Sequence, residues 1–213
     1  MKQIKILLLT SPGCPHCSDV KSSLEQLQSE GVLLDIDVID IAEQPLVAER
    51  YDVRSVPWLQ LGMFELAGAW SVAELRDWYT LATTDAAMRE YFAKMLSAGQ
   101  LTTVERVLRR YPGQVSELLA LIVEHERDIN VHIGISAVLE GMQGDSLLVE
   151  NIETLAKLTS DDQARVRADA CHYLMLTGDR RAAEYIKLLC NDTEAEVREI
   201  ASESLESLLE EIS

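Results

Sequence analysis

The stretch Thr10-Ser11-Pro12-Gly13-Cys14-Pro15-His16-Cys17 decides how the N-terminal part of this 213-residue chain reads. Two cysteines stand two residues apart, after an apolar run at 4–9 and before Val20, Leu24 and Leu27 at helical spacing. A strand that runs into Cys-x-x-Cys and then opens a helix points to thiol–disulfide exchange. The first cysteine then lies at a helix N-terminus, where unpaired backbone N–H groups and the helix dipole favour thiolate over thiol. The thiolate is the form that attacks a disulfide. Pro15 is expected in the first helical turn, where its missing N–H costs nothing. His16 brings positive charge close to Cys14 and favours the thiolate further. Cys14, Cys17, His16 and Pro15 are therefore the expected catalytic residues. Two other readings stand beside this one. Cys14, His16 and Cys17 as zinc ligands leave a fourth ligand to be found. A purely structural domain would not need both cysteines.

The flanking sequence supplies the rest of a small domain. The run 4–9 suits a buried strand. A helix is expected over 15–30, closed by Gly31. Residues 32–39 alternate in part (Leu34, Ile36, Val38) and read as a second strand, with a short helix following at 43–51. Then come Val53-Arg54-Ser55-Val56-Pro57-Trp58-Leu59-Gln60-Leu61-Gly62, in which Pro57 must stand at a strand start or edge because it donates no ladder bond. Gly62 marks a hairpin into a strand at Phe64–Ala67. A helix over 71–82, carrying Val72, Leu75, Trp78 and Tyr79, closes the unit. The order is βαβ-α-ββα.

Residues 4–82 resemble a minimal thioredoxin-like α/β fold, of glutaredoxin size and without thioredoxin's first strand and helix. The resemblance rests on Cys14-Pro15-His16-Cys17, on Tyr51-Asp52-Val53-Arg54-Ser55-Val56-Pro57 as the approach to a cis-proline, and on Gly68-Ala69-Trp70-Ser71 with Leu75 as the last turn and helix. It implies that Pro57 faces the cysteines, and that Val56 offers its backbone to an extended substrate. Val56 and Pro57 are thus the expected substrate-binding residues. The Cys-Pro-His-Cys sequence and the valine before the proline are similar to Dsb-type disulfide oxidants, whose helical insertion and signal peptide are not expected here. Leu8 occupies the place of thioredoxin's buried aspartate, as in glutaredoxin-like members. No basic residue lies within 10–17 to hold glutathione. Reduction and oxidation both remain open as the working direction.

The chain carries 36 acidic against 19 basic residues, for a net charge of −17. The excess is spread over both parts, about −6 over 1–82 and −11 over 83–213. Such a surface argues against nucleic acid or an anionic membrane as partner. No stretch approaches the ~20 apolar residues of a membrane helix. Lys2 and Lys5 precede an apolar run too short for a secretory signal. A cytoplasmic location is expected, where Cys-x-x-Cys is more often catalytic than structural.

From residue 83 the apolar residues recur at three and four. Helices are expected at 85–98, 101–111, 114–126, 130–142, 146–158, 162–177, 179–190 and 194–211. Val166-Arg167, Ala170 and Leu174 return as Val197-Arg198, Ala201 and Leu205 after 31 residues. A weaker copy is Val131-His132, Ile135 and Leu139. Each copy follows an acidic turn at Asp128, Asp161-Asp162 or Asp192. This resembles HEAT-type repeats, which stack because one helix pair cannot bury its own apolar face. The resemblance implies that Arg167 and Arg198 brace acidic turns of neighbouring units. Cys171 and Cys190 read as inert thiols. His125, His132 and His172 read as structural.

Two domains are expected: a thioredoxin-like redox domain over 1–82 and an all-α HEAT-like repeat domain over 83–213. The expected function is thiol–disulfide exchange on protein disulfides, with no cofactor and no metal, and with the repeats binding the substrate or partner protein. The family implies a thioredoxin-reductase-type electron donor. The alternative is an adaptor or assembly factor whose repeats bind a partner under redox control.

Overall fold

The chain, in a computed structural model that describes residues 4–33, 35–124 and 128–211, forms two compact units, Met1–Tyr91 and Phe92–Ser213. Leu34 and His125 lie outside the described residues. The first unit runs β1 (Ile6–Thr10), α1 (Cys17–Ser29), β2 (Ile36–Asp40), α2 (Pro45–Arg50), β3 (Trp58–Leu61), β4 (Phe64–Ala67) and α3 (Val72–Ala82). This is the expected βαβ-α-ββα order. The sheet order is β2-β1-β3-β4, with β1 parallel to β2 and antiparallel to β3.

β1 is a central strand with Ile6, Leu8 and Leu9 fully buried. A strand covered on both faces needs a continuous apolar run, which explains the absence of alternation. Leu7 and Leu9 join Trp58 in one cluster, against which Ile39, Val47, Tyr51 and Val56 pack. Strand alternation turns Ile6 and Leu8 to the other face. The α1 residues Val20, Leu24 and Leu27 are buried, as are Leu75, Trp78 and Tyr79 of α3. Trp58 packs tilted against the Tyr51 ring with centroids 5.2 Å apart, and Trp70 meets Trp78 edge-on at 6.0 Å.

Local signals close the elements. Val32 N–H bonds Leu27 O and Gly31 N–H bonds Gln28 O, with Gly31 at φ +75°, a left-handed stop to α1. Ser71 caps α3 by accepting from Glu74 N–H while the Glu74 carboxylate accepts from Ser71 N–H, a capping box. Three expectations need correction. β2 begins only at Ile36, and Val38 is 41% exposed while Ile39 packs inward. β2 is an edge strand, and the register Leu9↔Ile39 puts Ile39 on the face of the Leu7–Leu9–Trp58 cluster and Val38 on the other. α1 begins at Cys17, since the first helical bond closes from Val20 N–H to His16 O. Pro15 therefore lies in the turn ahead of the helix. The first unit also extends beyond residue 82 to Tyr91, whose ring stacks on Phe64 at 4.6 Å and whose hydroxyl bonds Glu65 O at 2.9 Å.

The division between the two units falls within α4 (Ala87–Ser97). The second unit continues with α5 (Leu101–Arg110), α6 (Val115–Glu124), α7 (Ile129–Glu140), α8 (Ser146–Val149), α9 (Ile152–Leu158), α10 (Ala164–Met175), α11 (Ala182–Leu189) and α12 (Ala195–Glu211). One expected helix, 146–158, is broken into α8 and α9. At the break Asn151 donates its side-chain amide to Leu147 O at 2.8 Å. That local bond competes with the helical ladder. No helix among the described residues is long and apolar enough to cross a membrane.

The repeat is structural as well as textual. Val131, Val166 and Val197 are fully buried, as are Ile135, Ala170 and Ala201. Arg167 donates to Asp161 O and Asp162 O, and Arg198 donates to Asp192 O and Thr193 O, the same offsets in each copy. Arg167 also makes a bidentate pair with the Asp192 carboxylate at 2.7 and 2.8 Å, which ties one acidic turn to the next. The Arg167 pair, aided by Glu194 N–H, holds the Asp192 carboxyl down at about 2. A depressed carboxylate stabilises the fold fully above its unfolded value of ~3.9 and loses that contribution as pH falls toward the folded value. Thermal melts followed by circular dichroism will show the helical unit losing stability between about pH 4 and pH 2. Asp192→Asn will cost about 2 kcal/mol at pH 7 and flatten that acid dependence.

Candidate redox site

The site is assembled at the C-terminal end of β1. Ser11-Pro12-Gly13-Cys14 forms a β-turn closed by Cys14 N–H to Ser11 O at 3.3 Å. Gly13 has φ +79°, which a side chain would strain, and Pro12 precedes it at the position proline favours. This turn leads Cys14 out of the strand, and the Pro15-His16 turn leads Cys17 into α1. Cys14 and Cys17 are joined as a disulfide with Cα atoms 5.5 Å apart. Cys14 is half-buried, whereas Cys17 is only 5% exposed.

The antiparallel register of β1 and β3 brings the second segment in. Leu9 pairs with Trp58, so the residues just before Trp58 lie alongside the residues just after Leu9. The Val56–Pro57 bond is cis. Pro57 is buried, and its carbonyl accepts from Gly68 N–H at 2.9 Å. The Val56 carbonyl lies 3.7 Å from Cys14 Sγ. A disulfide sulfur carries no proton, so this is a contact in the oxidised form. On reduction the same carbonyl becomes an acceptor for a Cys14 thiol.

Cys14, Cys17, Val56 and Pro57 thus come together in one place. Pro15 and His16 are exposed. The His16 side chain makes no cap hydrogen bond to α1, so nothing in the described residues fixes its ring. The first N–H groups of α1 face the cysteine turn unpaired by the helix, and Asp19 adds an acidic group to that first turn. Among the described residues no three His, Cys, Asp or Glu side chains are grouped to hold a metal ion. The sequence reading did not assign the Gly68–Pro57 bond. Its signal was present in Gly68, which takes φ +96° directly after β4.

Residues 2–80 match the family described as thioredoxin domain, and residues 115–206 match HEAT repeats. Thioredoxin of Methanocaldococcus jannaschii is 35% identical over 71 residues, which cover 32% of this chain and 84% of that protein. The chain belongs to the thioredoxin family, with its thioredoxin-like domain followed by a HEAT-repeat helical region.

Two further cysteines, Cys171 on α10 and Cys190 after α11, are unpaired. Burial pushes the Cys171 thiol up to about 12, with smaller contributions from Cys190 and Asp192. At pH 8 such a thiol is roughly one part in 10⁴ thiolate, and the thiolate is the reactive form. Iodoacetamide added to the reduced, folded protein will therefore label Cys14 ahead of Cys17 and leave Cys171 unlabelled until denaturant is added. Peptide mass spectrometry over a time course checks the order.

Proposed function

We propose that the protein is a thiol–disulfide oxidoreductase acting on protein disulfides, and that its HEAT repeats bind the substrate or partner protein. The observation that carries this reading is the Cys14–Cys17 pair set against the Val56–Pro57 backbone at the end of β1. In the reducing direction the Cys14 thiolate attacks one sulfur of the substrate disulfide. The substrate's other sulfur leaves as a thiolate and takes a proton from water. Cys17, deprotonated, then attacks Cys14 Sγ in the mixed disulfide and releases the second substrate thiolate. Two electrons have passed from the dithiol to the substrate, and the Cys14–Cys17 disulfide remains. The same steps in reverse deliver a disulfide.

In this reading the more accessible Cys14 is the nucleophile and the buried Cys17 resolves. The unpaired N–H groups ahead of α1, together with His16, favour the Cys14 thiolate. Pro15 shapes the turn that separates the two sulfurs. Val56 and Pro57 offer an extended backbone edge to the substrate segment. A thioredoxin-reductase-type donor returns the electrons. The two unpaired cysteines of the helical unit accord with a reducing compartment, in keeping with a cytoplasmic location.

A second reading is favoured by the length of the HEAT match, residues 115–206: an adaptor or assembly factor whose partner binding responds to the cysteine pair. One pair of variants separates the two. Cys14→Ser will reduce turnover of insulin disulfides to the uncatalysed rate, and retained turnover sinks the enzyme reading. Cys17→Ser will accumulate mixed disulfides with substrate proteins, visible as bands lost on adding reductant. Partners recovered without any covalent link favour the adaptor. Equilibration in glutathione buffers sets the direction, since a potential of about −270 mV marks a reductase and one of about −120 to −180 mV marks a pair poised against that role.

A further inference from the structure

α1 begins without a side-chain cap. Its N-cap residue is His16, whose ring makes no hydrogen bond to the helix. The first helical bond runs from Val20 N–H to His16 O, so the N–H groups of Cys17, Ser18 and Asp19 lie ahead of it. Other helices answer such groups with oxygen. Ser71 accepts from Glu74 N–H in α3, and Asp128 accepts from Asn130 N–H and Val131 N–H in α7. In α1 the open end fronts the Cys14–Cys17 pair, which carries negative charge only when a thiolate forms there.

One resident negative charge already stands at that end. Asp19 is the acidic residue of the first turn, at the third helical position, and it is exposed. Helical side chains tilt toward the N-terminus, so the Asp19 carboxylate leans toward the N–H groups that front the cysteines. Glu74 holds the same position in α3 and is committed to Ser71 N–H and the Ser71 hydroxyl. Asp19 makes no such bond and no ion pair among the described residues. Charges on the other sides of Cys14 do not offset it. The segments Thr10-Ser11-Pro12-Gly13 and Gly68-Ala69-Trp70-Ser71 carry none. In the approach to Val56, Arg54 pairs with Asp52 at 3.6 Å. Lys21, the cation of α1, pairs with Glu25 at 3.7 Å. After β2, Asp40 accepts from Ala42 N–H, and Glu43 is exposed. His16 is the residue within 10–17 that can carry positive charge, and Asp19 follows it at the spacing of helical neighbours.

Two influences on Cys14 therefore oppose each other. The helix end and a protonated His16 stabilise the Cys14 thiolate, and the Asp19 carboxylate destabilises it. The thiolate belongs to the dithiol form alone. Destabilising it shifts the pair toward the disulfide and makes the dithiol a stronger reductant. We propose that Asp19 sets the redox poise of the Cys14–Cys17 pair, holding it to the reducing side of what the Cys-Pro-His-Cys turn alone would give. Asp19 acts through Cys14, as a charge at the end of its helix. The proposal rests on the reading that the pair cycles between dithiol and disulfide, and it gives that cycle a reducing bias.

The test uses the full chain and two readouts that need no substrate protein. One is the ultraviolet absorbance of the Cys14 thiolate against pH. The other is the equilibrium with glutathione, in which the dithiol gives two electrons and two protons to glutathione disulfide and two glutathione molecules form. Asp19→Asn will raise the ratio of Cys14 thiolate to thiol by about 2- to 5-fold at a given pH. Above the midpoint of that titration it will shift the glutathione equilibrium toward the dithiol by the same factor. Asp19→Lys will shift both further in the same direction, and Asp19→Glu, which keeps the charge, will stay at the wild-type values. Glu25→Gln, the same loss of charge beyond the first turn of α1, will leave both unchanged, because the helix-end effect falls off within that turn. A merely structural Asp19 would move the melting temperature and neither readout. Unchanged readouts in Asp19→Asn, a shift toward the disulfide, or an equal shift in Glu25→Gln overturn the proposal. The enzyme reading fails separately, if Cys14→Ser keeps its turnover of insulin disulfides, and the two equilibria of the wild-type pair then still decide the role of Asp19.

Discussion

The pairing of β1 with β3 is the constraint on which the first unit depends. β1 lies between β2 and β3 and has apolar residues on both faces, so the sheet and both sides of the core meet at Ile6, Leu7, Leu8 and Leu9. The pairing of Leu9 with Trp58 fixes more than packing. A one-residue slip would turn every β3 side chain to the opposite face, sending Trp58 out of the cluster it shares with Leu7 and Leu9. The same slip would carry the Val56 carbonyl away from Cys14. Core packing and site geometry are therefore set by a single register. Burial of Trp58 fixes that register far more strongly than the 3.7 Å contact at the sulfur does.

In the helical unit the corresponding constraint is electrostatic and local. The Asp161-Asp162 and Asp192 turns each present two backbone carbonyls at the rim of the following helix. The Arg167 and Arg198 guanidinium groups satisfy them at the same offsets in successive copies. Arg167 reaches further, to the Asp192 carboxylate, and thereby links one turn to the next. Arginine suits this task because its planar fork serves two carbonyls and a carboxylate at once. In the weaker copy His132 stands in the arginine's place, and its ring is engaged by Arg165 from α10.

Much of this was legible in the sequence because the signals were short-range. The Gly31 stop, the Gly62 hairpin and the 31-residue repeat each depend on residues a few positions apart or on exact recurrence. The misses share a cause. Val38 was expected to face inward, but the parallel register with β1 decides that Ile39 does. The helix expected at 146–158 breaks at Asn151, where a side-chain amide competes for a backbone carbonyl. Pro15 was expected inside α1, but the first helical bond closes one residue later, at His16 O. The first unit runs on to Tyr91 because its ring finds Phe64, a contact between residues 27 positions apart that no local pattern announces.

By itself the sequence determined the kind of chemistry and the kind of scaffold. Cys-x-x-Cys between an apolar run and an amphipathic helix, a Val-Pro ahead of a strand, and recurring Val-Arg after acidic turns each specify their local structure through backbone sterics and hydrophobic period. The tertiary structure alone decided which groups meet. It set the Val56 carbonyl against Cys14 through strand register. It separated a half-buried Cys14 from a buried Cys17. It brought Arg167 of one repeat onto the Asp192 carboxylate of the next. The reason is physical: periodicity fixes which face of an element is apolar, whereas register and helix packing fix which residues of distant elements share a distance of a few ångströms.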